Sequence, residues 1–254
     1  RYLREFLPLK LLGEGAFGCV FKAENLLDEW KYAVKREGTD CRNVTDMSKA
    51  LREVRVMAQF DHPGIVRYNC TWIERPTGEA LNKKKLKTVK PISNDFQRPR
   101  VFHQTVYIYI QMQLCKYSLE HWLERNQEPR DLDRIMSWML QILSAIDYMH
   151  DQGVIHRDLK PSNVLFVEAD RLKICDLGIA TESNERDCPT KQSFGSNSSI
   201  ASACSERTFN LGTPMYMPRE QMTWQYDEKV DIFSLGLIFA EMCCPMTPKD
   251  KGKV

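Results

Sequence analysis

The sequence predicts an α+β fold in two lobes, a β-rich N-terminal lobe with one major helix and a mainly helical C-terminal lobe. Short β-prone runs broken by glycine and polar turns fill most of the first hundred residues. One helical pattern interrupts them. After Cys115 apolar residues recur at helical spacing instead. The division this implies is 1–114 and 115–254.

In chain order, Leu9 to Leu12, Cys19 to Glu24 and Tyr32 to Arg36 read as strands. Met47, Leu51, Val54 and Ala58 recur at one helix face, and His62-Pro63-Gly64 ends that helix. Ile65 to Ile73 and Val106 to Leu114 read as two further strands. Between them, 74–104 is rich in lysine, proline and polar residues and reads as an insert loop. Its Lys83-Lys84-Lys85-Leu86-Lys87 run is better explained by solvation than by nucleic-acid binding. Ile135, Met139, Ile142, Ile146 and Met149 form a helical stripe suited to a core helix. Val164 to Phe166 and Leu172 to Cys175 are short strands around a turn. Thr181 to Ser205 is serine-rich and reads as a loop. Val230 to Met242 is an apolar helix.

Composition narrows the classes. The chain has 254 residues, 43% hydrophobic and 28% charged, with a net charge of +2. Such a balance gives no default toward nucleic acid or membrane. No apolar run approaches the roughly 20 residues that span a bilayer, and Arg1 to Glu5 has no apolar signal core. The nine cysteines show no paired CxxC spacing, which disfavours zinc or a disulfide framework and favours reduced thiols in the cytosol.

The chemistry concentrates in His156-Arg157-Asp158-Leu159-Lys160-Pro161-Ser162-Asn163. A base (Asp158), a cation (Lys160) and an amide oxygen (Asn163) at this spacing can converge on one transferring phosphoryl group, with the needed orientation, metal and charge neutralisation. Gly13-Glu14-Gly15-Ala16-Phe17-Gly18 supplies a GxGxxG, a pattern that dinucleotide-binding folds share. Here Cys19 to Ala23 reads as a returning strand rather than a helix, and Lys35 follows in Tyr32-Ala33-Val34-Lys35. That order resembles the glycine loop and phosphate-binding lysine of kinases. Lys35 can then reach the α and β phosphates of ATP, with Val20 and Ala33 over the adenine. Cys19 is read as packing beside the loop. Glu53, on the polar side of the predicted helix, is the candidate partner of Lys35. Asp176 of Asp176-Leu177-Gly178 is the second metal-ligand candidate, sharing Mg with Asn163. Leu177 stands where phenylalanine is usual.

These motifs, in this order, resemble the eukaryotic protein kinases, with their two-lobed fold. Lys160 and Gly212-Thr213-Pro214-Met215-Tyr216-Met217 look like the serine/threonine branch. His62 to Tyr68 with Trp72, Gln111 to Cys115 and Lys229 to Leu237 resemble the kinases of the alpha subunit of translation initiation factor 2. Arg1-Tyr2-Leu3 and Tyr109 to Cys115 look most like that family's endoplasmic-reticulum-resident branch.

The resemblance implies Mg-ATP-dependent phosphorylation of the initiation-factor subunit, repressing translation under stress. It further implies Met112 as gatekeeper, Gln113 and Cys115 as hinge contacts and Leu165 in the nucleotide pocket. Thr208 and Thr213 match autophosphorylation positions in an activation segment, 176–220, with Arg157 as partner of the added phosphate. Arg1, Glu5 and Tyr68 match the contacts of an N-lobe homodimer. The domain would be cytosolic, with the whole protein anchored in the endoplasmic-reticulum membrane. Pro218-Arg219-Glu220 replaces the usual Ala-Pro-Glu, and the end at Val254 leads us to expect a C-lobe short of its last helices, with apolar surface exposed. A second reading therefore stays open: a cut-down, catalytically impaired kinase fold serving as a nucleotide-binding dimerisation module.

Overall fold

The computed structural model describes residues 1–15, 18–42, 44–76, 105–126, 130–177, 180–182, 214–222 and 226–245. Ala16, Phe17, Thr208, Thr213 and most of the insert and of the serine-rich segment lie outside them. The chain forms two compact units, Arg1–Gln59 with Arg67–Leu114, and Phe60–Val66 with Cys115–Val254. The α+β class expected from the sequence is what the structure has: a β-sheet unit followed by a mainly helical one.

In the first unit, β1 (Phe6–Gly15), β2 (Gly18–Asn25), β3 (Lys31–Asp40), β4 (Tyr68–Glu74) and β5 (Thr105–Gln113) form an antiparallel sheet in the order β1-β2-β3-β5-β4. Side chains alternate across a strand, so its two faces do different work. One face carries an aromatic cluster of Tyr2, Phe6, Ala23, Val34, Trp72 and Tyr109. Trp72 stacks on Tyr109 at 5.3 Å and on Phe6 at 5.6 Å. A short N-terminal helix, α1 (Tyr2–Glu5), brings Tyr2 into this cluster. Glu74 fastens it, its Oε1 accepting from the Tyr2 backbone N–H and the Trp72 indole, each at 2.6 Å.

On the other face, register puts Ala33 opposite Met112 and Lys35 opposite Val20. Helix α2 (Val44–Gln59) packs on β3 and β4. The expected apolar stripe of α2 is not its buried face: Ala58 is exposed, Met47, Leu51 and Val54 are half-buried, and Glu53, Val56 and Met57 are buried. An ionic partner on β3, described below, sets the helix's rotation.

In the second unit α3 (Leu119–Arg125) and α4 (Leu132–Asp151) are followed by α5 (Lys229–Cys243). Ser118 and Asp131 cap α3 and α4, their side chains accepting first-turn N–H groups. The buried stripe of α4 is Ile135, Trp138, Ile142, Ala145, Ile146 and Met149. Trp138 takes the place expected of Met139, because Trp122 and Phe166 meet its ring at 4.9 Å each. Strands β6 (Tyr117–Ser118), β8 (Val164–Glu168) and β9 (Arg171–Ile174) form one small sheet, and β7 (Val154–Ile155) pairs with β10 (Thr181–Glu182).

The strand expected from Ile65 begins only at Tyr68. Ile65 instead bridges Ile174, and Val66 N–H donates to the Ile174 carbonyl at 2.9 Å, so these residues belong to the second unit. Leu132, Met136, Leu140 and Leu143 leave an exposed apolar line along α4.

Candidate active site

The site residues fall in both units. In the first, the glycine loop is the β1–β2 hairpin itself. Gly15 pairs with Gly18, which has φ +110° and whose Cβ would stand 2.2 Å from the Arg36 carbonyl oxygen. Only glycine fits there. At Gly13 and Gly15 a Cβ would meet nothing within 4 Å, so the hairpin's own packing does not require those two. Glu14 is exposed between them.

Val20, Ala33, Lys35 and Met112 share one sheet face by register. Ala33 and Met112 are buried and Val20 is half-buried. Lys35 is 6% exposed and Glu53 3%. The Lys35 ammonium reaches both carboxylate oxygens of Glu53, at 2.7 and 2.6 Å. Glu53 therefore faces the sheet, not the polar side of α2 expected from its sequence surroundings. Two charges leaving water together outweigh the apolar periodicity, because either one buried alone costs far more. Gln113, half-buried, donates its backbone N–H to the Arg67 carbonyl at 2.9 Å. Cys19 is buried, and burial pushes its thiol upward, as expected of a packing residue.

In the second unit the catalytic-loop candidates are brought together. Lys160 Nζ lies 2.7 Å from Asp158 Oδ2. Asn163 Nδ2 donates to the Asp158 carbonyl at 2.9 Å and to its Oδ2 at 3.3 Å. His156 ties this loop to the metal-ligand candidate. Its Nδ1 accepts from the Asp158 N–H at 3.2 Å. Its Nε2 faces the Cys175 carbonyl at 3.1 Å. A carbonyl only accepts, so the imidazole proton belongs on Nε2. Cys175 N–H in turn donates to the Asn163 carbonyl at 2.9 Å, fixing Asp176 relative to Asn163. Asp176 has φ 64° and is half-buried; Leu177 is buried. Leu165 on β8 and Cys115 are half-buried, and burial pushes the Cys115 thiol up to about 11.

Asp231 was missed as a functional residue. It is fully buried on α5, and its carboxylate accepts three N–H groups at 2.8 Å: the backbones of His156 and Arg157 and the His150 ring. A carboxylate inside a mainly apolar helix was the available signal, since a buried charge demands donors. Tyr216 and Glu241, also buried, hydrogen-bond each other, and burial with that bond pushes the Tyr216 phenol far upward. Arg157 donates from Nη1 to the Tyr226 hydroxyl at 2.8 Å.

Arg1 and Glu5 are joined across one turn of α1 at 2.8 Å, each side chain 46% exposed. Tyr68 is half-buried on β4, opposite Met112.

The family described as "Protein kinase domain" matches residues 6–253. The chain belongs to that family. It is 35% identical over 246 residues, 95% of its length, to the rat (Rattus norvegicus) "Interferon-induced, double-stranded RNA-activated protein kinase", 41% of which is covered. It is 30% identical over 259 residues, 96% of its length, to "eIF-2-alpha kinase GCN2" of Arabidopsis thaliana, 20% of which is covered. Against "Eukaryotic translation initiation factor 2-alpha kinase pek-1" of Caenorhabditis elegans it is 41% identical over 145 residues, 54% of this chain and 13% of that protein. The chain thus spans about two fifths or less of the length of these relatives. The resemblance to initiation-factor-2-alpha kinases is borne out by these names, and the worm relative matches only part of the chain.

Proposed function

We propose that this chain is the catalytic domain of a serine/threonine protein kinase that uses Mg-ATP and phosphorylates the alpha subunit of translation initiation factor 2. The observation that carries the reading is the convergence of Asp158, Lys160 and Asn163 within hydrogen-bond distance on one buried loop. Asp158 orients the acceptor hydroxyl and takes its proton as the new O–P bond forms and the bond from the γ-phosphorus to the β-phosphate oxygen breaks, releasing ADP. Lys160 neutralises the transferring phosphate. Lys35, held by Glu53, binds the α and β phosphates beneath a hairpin whose Gly13 and Gly15 leave room for them. By the resemblance, Val20, Ala33, Met112, Gln113, Cys115 and Leu165 would be the residues that contact the adenine.

The donor set fits magnesium. Asn163 turns its Nδ2 to Asp158, which leaves Oδ1, with the Asp176 carboxylate, as hard oxygen ligands. When bound, magnesium supplies charge neutralisation at the phosphates.

Further parts of the proposal rest on the resemblance and the relatives' names. The substrate is the initiation-factor subunit, with repression of translation under stress as the outcome. Phosphorylation of Thr208 and Thr213 activates the segment 176–220. Homodimers form through Arg1, Glu5 and Tyr68. A cytosolic setting agrees with the seven free cysteines among the described residues, and anchorage of the whole protein in the endoplasmic-reticulum membrane goes with the pek-1 likeness. Among the described residues no helix is long and apolar enough to cross a membrane.

The test is Mg-dependent transfer of the γ-phosphate to the purified initiation-factor subunit. Asp158→Ala should lower it by about a thousandfold or more while ATP still raises the unfolding temperature. Equal transfer by both proteins would refute the assignment. Stabilisation by ATP with no transfer by the unmodified chain would favour a nucleotide-binding module instead.

A further inference from the structure

The peptide unit that delivers Asp158 is held at both ends. Its N–H, from Asp158, donates to His156 Nδ1 at 3.2 Å. Its carbonyl, from Arg157, accepts from Gln221 Nε2 at 2.8 Å. Gln221 is 8% exposed and sits 64 residues further along the chain, on the 3-10 turn Arg219–Met222. That turn is closed by the Gln221 N–H donating to the Pro218 carbonyl at 3.1 Å.

The plane of this peptide needs holding. Arg157 has φ 68°, a left-handed conformation that L side chains resist and that surrounding structure must impose. Asp231 takes the Arg157 N–H, which fixes the entry to the turn. Tyr226 takes the guanidinium, which fixes the side chain. Neither bond sets the exit, the rotation of the plane between Arg157 and Asp158. The Gln221 amide does, in concert with His156. Rotating that plane swings the Asp158 side chain, and a small misplacement of a reacting group is expensive in rate.

We propose that Gln221 is a positioning residue for phosphoryl transfer: its side-chain amide locks the Arg157–Asp158 peptide and so aims the Asp158 carboxylate. It does not touch the reacting groups itself. The inference rests on the kinase reading above. It also gives the 214–222 stretch a grip on the catalytic loop, independent of the usual Ala-Pro-Glu sequence that Pro218-Arg219-Glu220 replaces.

The experiment compares the unmodified chain with Gln221→Leu and Gln221→Glu in steady-state transfer, per folded molecule. In parallel, hydrogen exchange is followed at the Asp158 amide. Gln221→Leu should lower kcat about tenfold and leave the KM for ATP within about twofold, the mark of lost transition-state geometry. Exchange at Asp158 should quicken while that in the core of α4 stays as it was. Gln221→Glu makes the sharper test. An ionised carboxylate repels the Arg157 carbonyl, whereas its protonated form donates a hydrogen bond as the amide does. Its kcat relative to the unmodified chain should therefore rise as pH is lowered. A purely structural glutamine would give no such divergence. Unchanged kcat in Gln221→Leu, parallel pH profiles or unchanged Asp158 exchange would each overturn the proposal. If the unmodified chain transfers no phosphate, the kinase reading fails, and the exchange at Asp158 still decides whether Gln221 holds the peptide.

Discussion

The two units bury charge in different ways. In the first, Lys35 and Glu53 set one full charge against another, 2.6 Å apart, between a strand and a helix. In the second, Asp231 sets one charge against three N–H dipoles, two of them from consecutive backbone groups of the catalytic loop. An ion pair between separate elements can be broken by displacing one of them, and each partner is then left with a large desolvation cost. A carboxylate holding consecutive backbone donors can be released only by unfolding the loop it shapes. The first arrangement suits a contact that regulation makes and breaks. The second suits geometry that must be in place before the reactants arrive.

Glu53→Ala tests this contrast most severely. It removes both carboxylate contacts of the buried Lys35 ammonium and should cost about 3–5 kcal/mol of stability in denaturant unfolding. Replacing both partners, Lys35→Met with Glu53→Leu, should restore most of that stability and none of the phosphate transfer. If the single variant is as stable as the unmodified chain, the pair is not the buried charge balance described here. Asp231→Asn should come next. An amide has one acceptor oxygen for two backbone donors, so one N–H of the loop loses its partner, at about 2–3 kcal/mol. Stability and kcat should fall together, in contrast to the Lys35–Glu53 double variant, where they part. Tyr226→Phe removes only the hydroxyl facing Arg157. With Asp231 still in place it should cost about 1 kcal/mol, and a loss as large as that of Asp231→Asn would show that the loop's ties are not shared out.

Local pattern made much of this legible. The catalytic loop could be read because Asp158, Lys160 and Asn163 lie within six residues. The glycine hairpin, α4 and α5 could be read because glycine spacing and apolar periodicity mark their own elements. Contacts between distant segments were harder to read. Glu53 was the expected partner of Lys35, but its place on the buried face of α2 was hidden by the apolar periodicity of that helix. Trp138 displaced Met139 from the core stripe because Trp122 and Phe166 come from other elements. Ile65 and Val66 read as the start of β4, yet Ile174, over a hundred residues away, claims them. Asp231, Gln221 and Tyr226 lie 64 to 75 residues beyond the loop they hold. No local rule points from one to the other.

The smallest effect concerns the strap Phe60–Val66, which His62 fastens to the rest of the second unit. The His62 ring stacks on Tyr148 at 4.9 Å, and its Nδ1 accepts the Gly64 N–H at 3.1 Å. Its Nε2 lies 3.4 Å from the Ser144 hydroxyl. Partial burial, and then the charge of Lys173, lower its pKa from the ordinary 6.5. The unfolded chain therefore binds this proton more readily than the folded one. Stability from His62 is complete above about pH 6.5, where the ring is neutral in both states, and is lost as pH falls toward the lower folded value. Protonation also fills Nδ1 and removes the acceptor for Gly64, so the loss should be below about 1 kcal/mol, the worth of one modest hydrogen bond. Unfolding midpoints measured from pH 7.5 downward should show it, and His62→Asn, which keeps an acceptor without a titrating ring, should flatten that part of the profile. A His62→Asn profile that falls as steeply as the unmodified one would move the acid sensitivity elsewhere and leave the strap out of it.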